Sequence, residues 1–210
     1  LDEKRNAVEE YSEQYHKGER YLEYAITPFQ HHYDVGDKVQ FELLEWGMSA
    51  DCPNLQLRII DIDDQSVFEF LILEGAQAGL AWITILRKRE AYRKAFGNFD
   101  VQKVARYSDK KLEQLLLNPG IVRNKLKVKA ARTNAKAFIA VQKEFGSFAR
   151  YIWQYVDNKP IQNHYQTLAE IPASTELSQR ISKDLKKRGF SFVGATIIYA
   201  YMQAIGMVND

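Results

Sequence analysis

From residue 64 onward, apolar positions recur at the three- and four-residue spacing of helices. "DDQS" offers capping side chains for a helix from about Val67 to Gly79, and "AWITILRKREAYRKAF" continues with helical spacing to Phe96. "DVQKVARYS" and "SDKKLEQLLLNPG" each open on an Asp or Ser cap, and the second closes on Asn-Pro-Gly. "VRNKLKVKAARTNAKAFIAVQKEFG" reads as a long basic amphipathic helix stopped by Gly146, and "SFARYIWQYVDNKP" as another, ended by Pro160. Two more helices, "TELSQRISKDLKKRG" and "GATIIYAYMQAIGMV", are joined by the short link "FSFV". Helices with brief connections predict an all-α, bundle-like domain over residues 64–210.

Residues 1–63 form a different segment. "LDEKRNAVEEYSEQYHKGERYLEYA" has the pattern of a polar amphipathic helix, and the stretch after it mixes Gly and Pro with short alternating apolar runs. "KVQFELLEW" and "LQLRIIDI" are either strands or irregular structure, and the local pattern does not choose between them.

Within the first predicted helix of the second segment, Glu69 and Glu74 are the only charges between Val67 and Ala78. Positions five apart lie roughly 140° apart around a helix, too far for one narrow exposed stripe, so one carboxylate is expected to face inward. A desolvated carboxylate persists only if it is hydrogen-bonded, paired, protonated or facing a pocket. For Glu74 the alternatives are an internal salt bridge or cap near Gly79 and a binding site that includes Trp82. The residues alone leave both open, and Trp82 by itself suits a core position.

Composition narrows the function classes. A chain of 210 residues with one cysteine, Cys52, has no internal disulfide and no multi-cysteine zinc cage, which fits a reducing, cytoplasmic setting. No apolar run approaches the roughly 18 to 20 residues of a membrane span, and the charged start is unlike a signal peptide, so no membrane association is expected. The formal net charge of +2 does not argue for nucleic acid, but acids crowd the first 75 residues while 87–150 and 180–190 hold most of the Lys and Arg. His16, His31, His32 and His164 lack metal-ligand spacing, and no P-loop, dinucleotide-binding glycine pattern or GxSxG elbow is present.

Two basic features invite a phosphate. The turn in "KKRGFSFVGAT" would point free amides of the second helix outward beside Lys186, Lys187 and Arg188, with Gly194 permitting close approach. On the residues alone, an ordinary antiparallel turn with a solvated basic end is the favoured reading. The helix from Val122 to Lys143 spreads its cations too widely for one stripe and reads mainly as a solvated face, with its first few cations beside "NPGI" as phosphate contacts.

Taken together and in order, "FLILEGAQAGLAWITILRKREAYRKAF", "NPGIVRNKLKVKAARTNAKAF", "EFGSFARYIWQYV" and "IPASTELSQRISKDLKKRGFSFVGATIIYAYMQAIGMVND" resemble the DNA-3-methyladenine glycosylase I (Tag-type) family over residues 64–210. The resemblance implies a helix-hairpin-helix fold and a monofunctional DNA repair enzyme that flips 3-methyladenine from double-stranded alkylated DNA and hydrolyses its N-glycosidic bond. By that resemblance Glu74 is the acid that reads the damaged base and Trp82 stacks on it. Gly79 and Leu80 form the loop that fills the gap left by the flipped nucleotide. The turn carrying Lys186, Lys187, Arg188, Phe192 and Gly194 becomes the hairpin that grips the DNA backbone.

The sequence also departs from the family. Tag-type enzymes carry an early "YHDxEWG" motif that supplies pocket aromatics and two zinc ligands. Here only "LLEWG" at 43–47 keeps its end, making Trp46, with Tyr33 nearby, the equivalent pocket aromatic. The His and Cys that follow "VND" in the family do not appear, so no zinc cofactor is expected in this chain. These departures keep a second expectation in view, a Tag-like DNA-binding or interaction protein with altered or lost excision. Oligomeric state is not legible.

Overall fold

The computed structural model describes residues 63–210 and, of the first 62, four strands. The chain divides into two compact units, Leu1–Ile62 and Asp63–Asp210.

In the first unit, β1 (Tyr21–Glu23) pairs antiparallel with β2 (His32–Asp34). β3 (Val39–Met48) pairs antiparallel with β4 (Pro53–Ile62), with irregularities between Gln40 and Phe41 and between Leu43 and Glu45. The two segments whose local pattern fitted either strand or loop are therefore strands; cross-strand pairing, invisible to a local pattern, decides such cases. The amphipathic helix expected at the amino terminus lies outside the described residues except at Tyr21–Glu23, which is strand.

The second unit is all-α. Its axis is α1 (Asp64–Gln77), started by Asp63, whose carboxylate accepts from the Ser66 amide at 2.8 Å. Every residue from Ser66 to Ala76 is buried, so α1 is a central helix covered on all sides rather than an amphipathic surface helix. Both Glu69 and Glu74 are consequently inside, where the sequence pattern placed one. Asp64 reaches out of this helix and accepts from the amides of Phe148 and Ala149 at 2.9 and 2.8 Å, capping the start of α7 (Phe148–Trp153).

The chain then runs through α2 (Trp82–Leu86), α3 (Arg89–Ala95), α4 (Val101–Ala105) and α5 (Asp109–Leu116). The first helix ends close to the expected Gly79, and the stretch expected to run helically from Ala81 to Phe96 is divided into α2 and α3. Gly79 takes a φ of +79°, which closes α1, and a turn at Arg87 and Lys88 redirects the chain so that Arg89 and Arg93 both reach Glu69.

The long α6 (Lys125–Phe145) is capped by Asn124 and ends at Gly146 with a φ of +86°. Its inward face carries Val128, Ala131, Ala135, Phe138 and Val141, and the small alanines let it lie close to its neighbours. Phe138 stacks on Phe148 at 4.1 Å between centroids and meets Phe68 of α1 edge-on at 5.2 Å. α8 (Glu176–Lys187) opens on a Thr175/Ser178 capping box, and α9 (Ala195–Ala204) follows after a tight turn. A two-residue parallel pair, β5 (Ile161–Gln162) with β6 (Val208–Asn209), closes the carboxy-terminal end. Among the described residues no helix is long and apolar enough to cross a membrane.

Candidate functional site

The two buried carboxylates of α1 have different fates. Glu69 takes Arg89 Nε at 2.7 Å and Arg93 Nε at 3.1 Å, so its burial is offset by ion pairs that fasten α3 to α1. Glu74, only 3% exposed, has nothing comparable. Its Oε2 lacks a hydrogen-bond partner among the described residues, and burial pushes its carboxyl up to about 8 from an ordinary value of 4.5. Buried polar atoms are nearly always satisfied in folded proteins, so an orphaned carboxyl held in place by a rigid helix is prepared for a ligand.

Beyond Glu74 the chain turns into an exposed apolar tip. Ala78 ends α1, Gly79 turns with its positive φ, and the Leu80 amide donates to Gln77 O at 2.6 Å. A Cβ on Gly79 would meet nothing within 4 Å, so glycine is needed there for the backbone angle alone. Leu80 and Ile83 present 40% and 52% of their surface, while Trp82, which opens α2, is half-buried. Glu74, Gly79, Leu80 and Trp82 therefore belong to one helix, its turn and the next helix. Trp46 lies on β3 opposite Leu55 and Tyr33 on β2, but their side chains fall outside the described residues.

The second assembly is the turn between α8 and α9. Lys186 and Lys187 are exposed at its mouth, Gly189 has a φ of +90°, and Phe192 has a φ of +58°. Gly194 precedes α9, whose first turn has no side-chain cap, leaving backbone amides for an anion. Open space surrounds the position of a Gly194 Cβ, so the approach is unobstructed. The turn is held from behind. Ser182 Oγ donates to Val193 O at 2.6 Å, Asn134 Nδ2 donates to Ser191 O at 3.0 Å, and the Ser191 amide donates to Asn134 Oδ1 at 2.9 Å. The Phe192 Cβ and carbonyl lie 3.3 and 3.4 Å from where a Gly75 Cβ would be, so this glycine sets how closely the turn approaches α1.

Arg188 does not join Lys186 and Lys187. Its guanidinium donates to Asp184 at 2.9 Å and Glu144 at 2.7 Å and lies over Phe145 and Tyr151, an arrangement that locks α8 to α6 and α7. Two carboxylates within hydrogen-bond range engage it, so Arg188, expected as a phosphate contact, has a structural role in this arrangement. Arg180, Lys183 and Lys186 instead line an open groove beside Ala195. Their i, i+3, i+6 spacing was readable in "RISKDLK", yet only the cluster next to the glycine stood out.

Lys127, expected on a solvated basic face, is turned inward instead. Its stem is half-buried, and Nζ donates to Ala76 O at 2.8 Å and Ala78 O at 2.6 Å, with burial lowering the ammonium's pKa. Asn134 carried no sequence signal at all. Among the described residues no group of three or more His, Cys, Asp and Glu side chains is placed to hold a metal ion.

Comparison with known proteins converges on one group. Residues 58–210 match the model of the methyladenine glycosylase family. The chain is 45% identical over 150 residues to the DNA-3-methyladenine glycosylase of Haemophilus influenzae, covering 71% of this chain and 81% of that protein. It is also 45% identical over 150 residues to DNA-3-methyladenine glycosylase 1 of Escherichia coli, covering 71% and 80%. A crystal structure of a 3-methyladenine DNA glycosylase I superposes with a TM-score of 0.69 at 47% identity, over 70% of this chain and 81% of that one. The Staphylococcus aureus 3-methyladenine DNA glycosylase I, solved to explain 3-methyladenine recognition, gives a TM-score of 0.69 at 33% identity, over 70% and 78%.

Proposed function

The chain belongs to the methyladenine glycosylase family, and from that premise we infer that it is a base excision repair enzyme that hydrolyses the N-glycosidic bond of 3-methyladenine in alkylated DNA. The observation that carries the assignment of the site is Glu74, a buried carboxyl without a partner among the described residues, in a helix whose other buried carboxylate is fully engaged.

The residues supply recognition more than covalent chemistry. The substrate is double-stranded DNA, and reaching its base requires extrusion of the nucleotide, at a few kcal/mol that a damaged pair reduces. The backbone is held at the α8–α9 turn by Lys186, Lys187 and the free amides of α9, while Leu80, carried on Gly79, fills the vacated stack. The extruded 3-methyladenine is cationic. Beside it the Glu74 carboxyl gives up its proton and pairs with the base, a charge-assisted contact that neutral adenine cannot match. Trp82 stacks on the base and favours its positive charge.

The positive charge also makes the base a good leaving group. As the bond between the sugar C1′ and the purine nitrogen breaks, its electron pair neutralises the base. A water oxygen bonds to C1′ and loses a proton, leaving an abasic site and free 3-methyladenine. No lysine intermediate is required, and positioning with charge recognition supplies the acceleration. The chain works in the cytoplasm, a setting its single cysteine suits.

Single-turnover release of 3-methyladenine from methylated duplex DNA tests this function. Wild type is expected to release the base, and Glu74→Ala to lose at least about tenfold in rate, the scale of one charge-assisted contact. Full release by the variant would remove Glu74 from the site. Tight DNA binding by wild type with no release would instead identify a binding relative that has lost excision.

A further inference from the structure

The carbonyls at the end of α1 carry the partial negative charge of a helix carboxy terminus, yet α1 has no basic side chain in its last turn. The cation arrives from another helix. Lys127 Nζ bridges Ala76 O at 2.8 Å and Ala78 O at 2.6 Å, the carbonyls on either side of Gln77, whose own carbonyl takes the Leu80 amide. Three consecutive carbonyls are thus occupied just before Gly79, and two of them by one ammonium.

Lys127 is poorly placed for its own helix. It sits in the first turn of α6, where the macrodipole disfavours cations, and that turn contains no acid to compensate. A residue that lowers the stability of its own helix while closing the end of another has its role in the second. Seven positions along α6 the same face presents Asn134, which holds Ser191 of the α8–α9 turn by two hydrogen bonds. Seven residues are two turns, about 10.5 Å of rise, so one rigid helix holds both the Leu80 loop and the turn at fixed separation.

We propose that Lys127 is a positioning residue of the glycosylase: by bridging Ala76 and Ala78 it holds the Gly79–Leu80 loop in the conformation from which Leu80 enters the DNA stack. This rests on the function proposed above, in which Leu80 is the wedge. Lys127 touches neither the base nor the reacting bond, so its loss acts through Leu80.

The test is a double-mutant cycle of Lys127→Met and Leu80→Ala, read by single-turnover release from duplex DNA, with free 3-methyladenine binding measured by tryptophan fluorescence. Methionine keeps most of the aliphatic stem and removes the ammonium. The expected result is release about tenfold slower in K127M, unchanged affinity for the free base, and no further loss when K127M is added to L80A. Wild-type release by K127M, or losses that multiply with those of L80A, would overturn the proposal. Should K127M fail to bind the free base, Lys127→Gln, which keeps a donor without the charge, is judged by the same criteria. L80A alone separates the two readings: full activity there removes the wedge itself, whereas a slow L80A beside a normal K127M removes only the role of Lys127.

Discussion

Replacing Glu74 by glutamine should make the protein more stable, and increasingly so as the pH rises. Glutamine matches the shape of the protonated acid but cannot ionise. In the folded protein burial raises the Glu74 carboxyl to about 8 from an unperturbed value of 4.5, so between these limits the folded state holds a proton that the unfolded chain has released. Stability contributed by the protonated carboxyl is complete below pH 4.5 and falls as the pH climbs through about 8. The slope is about 1.4 kcal/mol per pH unit, and over the 3.5 units between 4.5 and about 8 the loss sums to about 5 kcal/mol. E74Q escapes it. Urea denaturation of both proteins at intervals from pH 3.5 to pH 9 should show matching midpoints below about pH 4, a gap that widens steadily to about pH 8, and a constant gap above. Parallel curves across the whole range would mean that Glu74 is not an uncompensated buried acid and does not await a cationic base.

Asn134→Ala should cost about 2 to 3 kcal/mol in urea stability by leaving the Ser191 amide and carbonyl unpaired, and should weaken DNA binding while sparing affinity for free 3-methyladenine. Replacing both Lys186 and Lys187 by alanine should flatten the dependence of log K for DNA on log salt by about 2, which a titration series measures. Arg188→Ala should leave that salt slope unchanged and lower thermal stability instead, because the guanidinium is engaged by Asp184 and Glu144.

The elements that were legible are those whose determinants are local. Asp63, Asn124, Ser147 and Thr175 each cap the helix that follows, and Gly146 ends α6 with the positive φ that glycine readily adopts. Glu74 was legible as a problem because a helix cannot show two charges five positions apart on one narrow stripe. Which of the two charges was satisfied depended on Arg89 and Arg93, some twenty residues further on, and no helical pattern reports that. The partners that hold Lys127 and Arg188 were hidden for the same reason. Each sits in a basic run, and each is engaged by acceptors from another helix, 51 residues away for Ala76 and 44 for Glu144. The strands of the first unit depend on pairing across a hairpin rather than on alternation alone.

The complete burial of α1 also sets when the enzyme can exist. An amphipathic helix tolerates water on one face while it waits for the rest of its domain, but α1 has no such face. Its backbone at Val67 receives the Tyr201 hydroxyl from 134 residues later in the chain. At typical synthesis rates that interval is on the order of ten seconds, during which a helix built of Val, Phe, Leu and Ile has emerged from the ribosome ahead of the helix that covers it. The helix that carries Glu74 is therefore also an apolar segment of the nascent chain that waits uncovered through that interval, the situation in which a chaperone protects a chain.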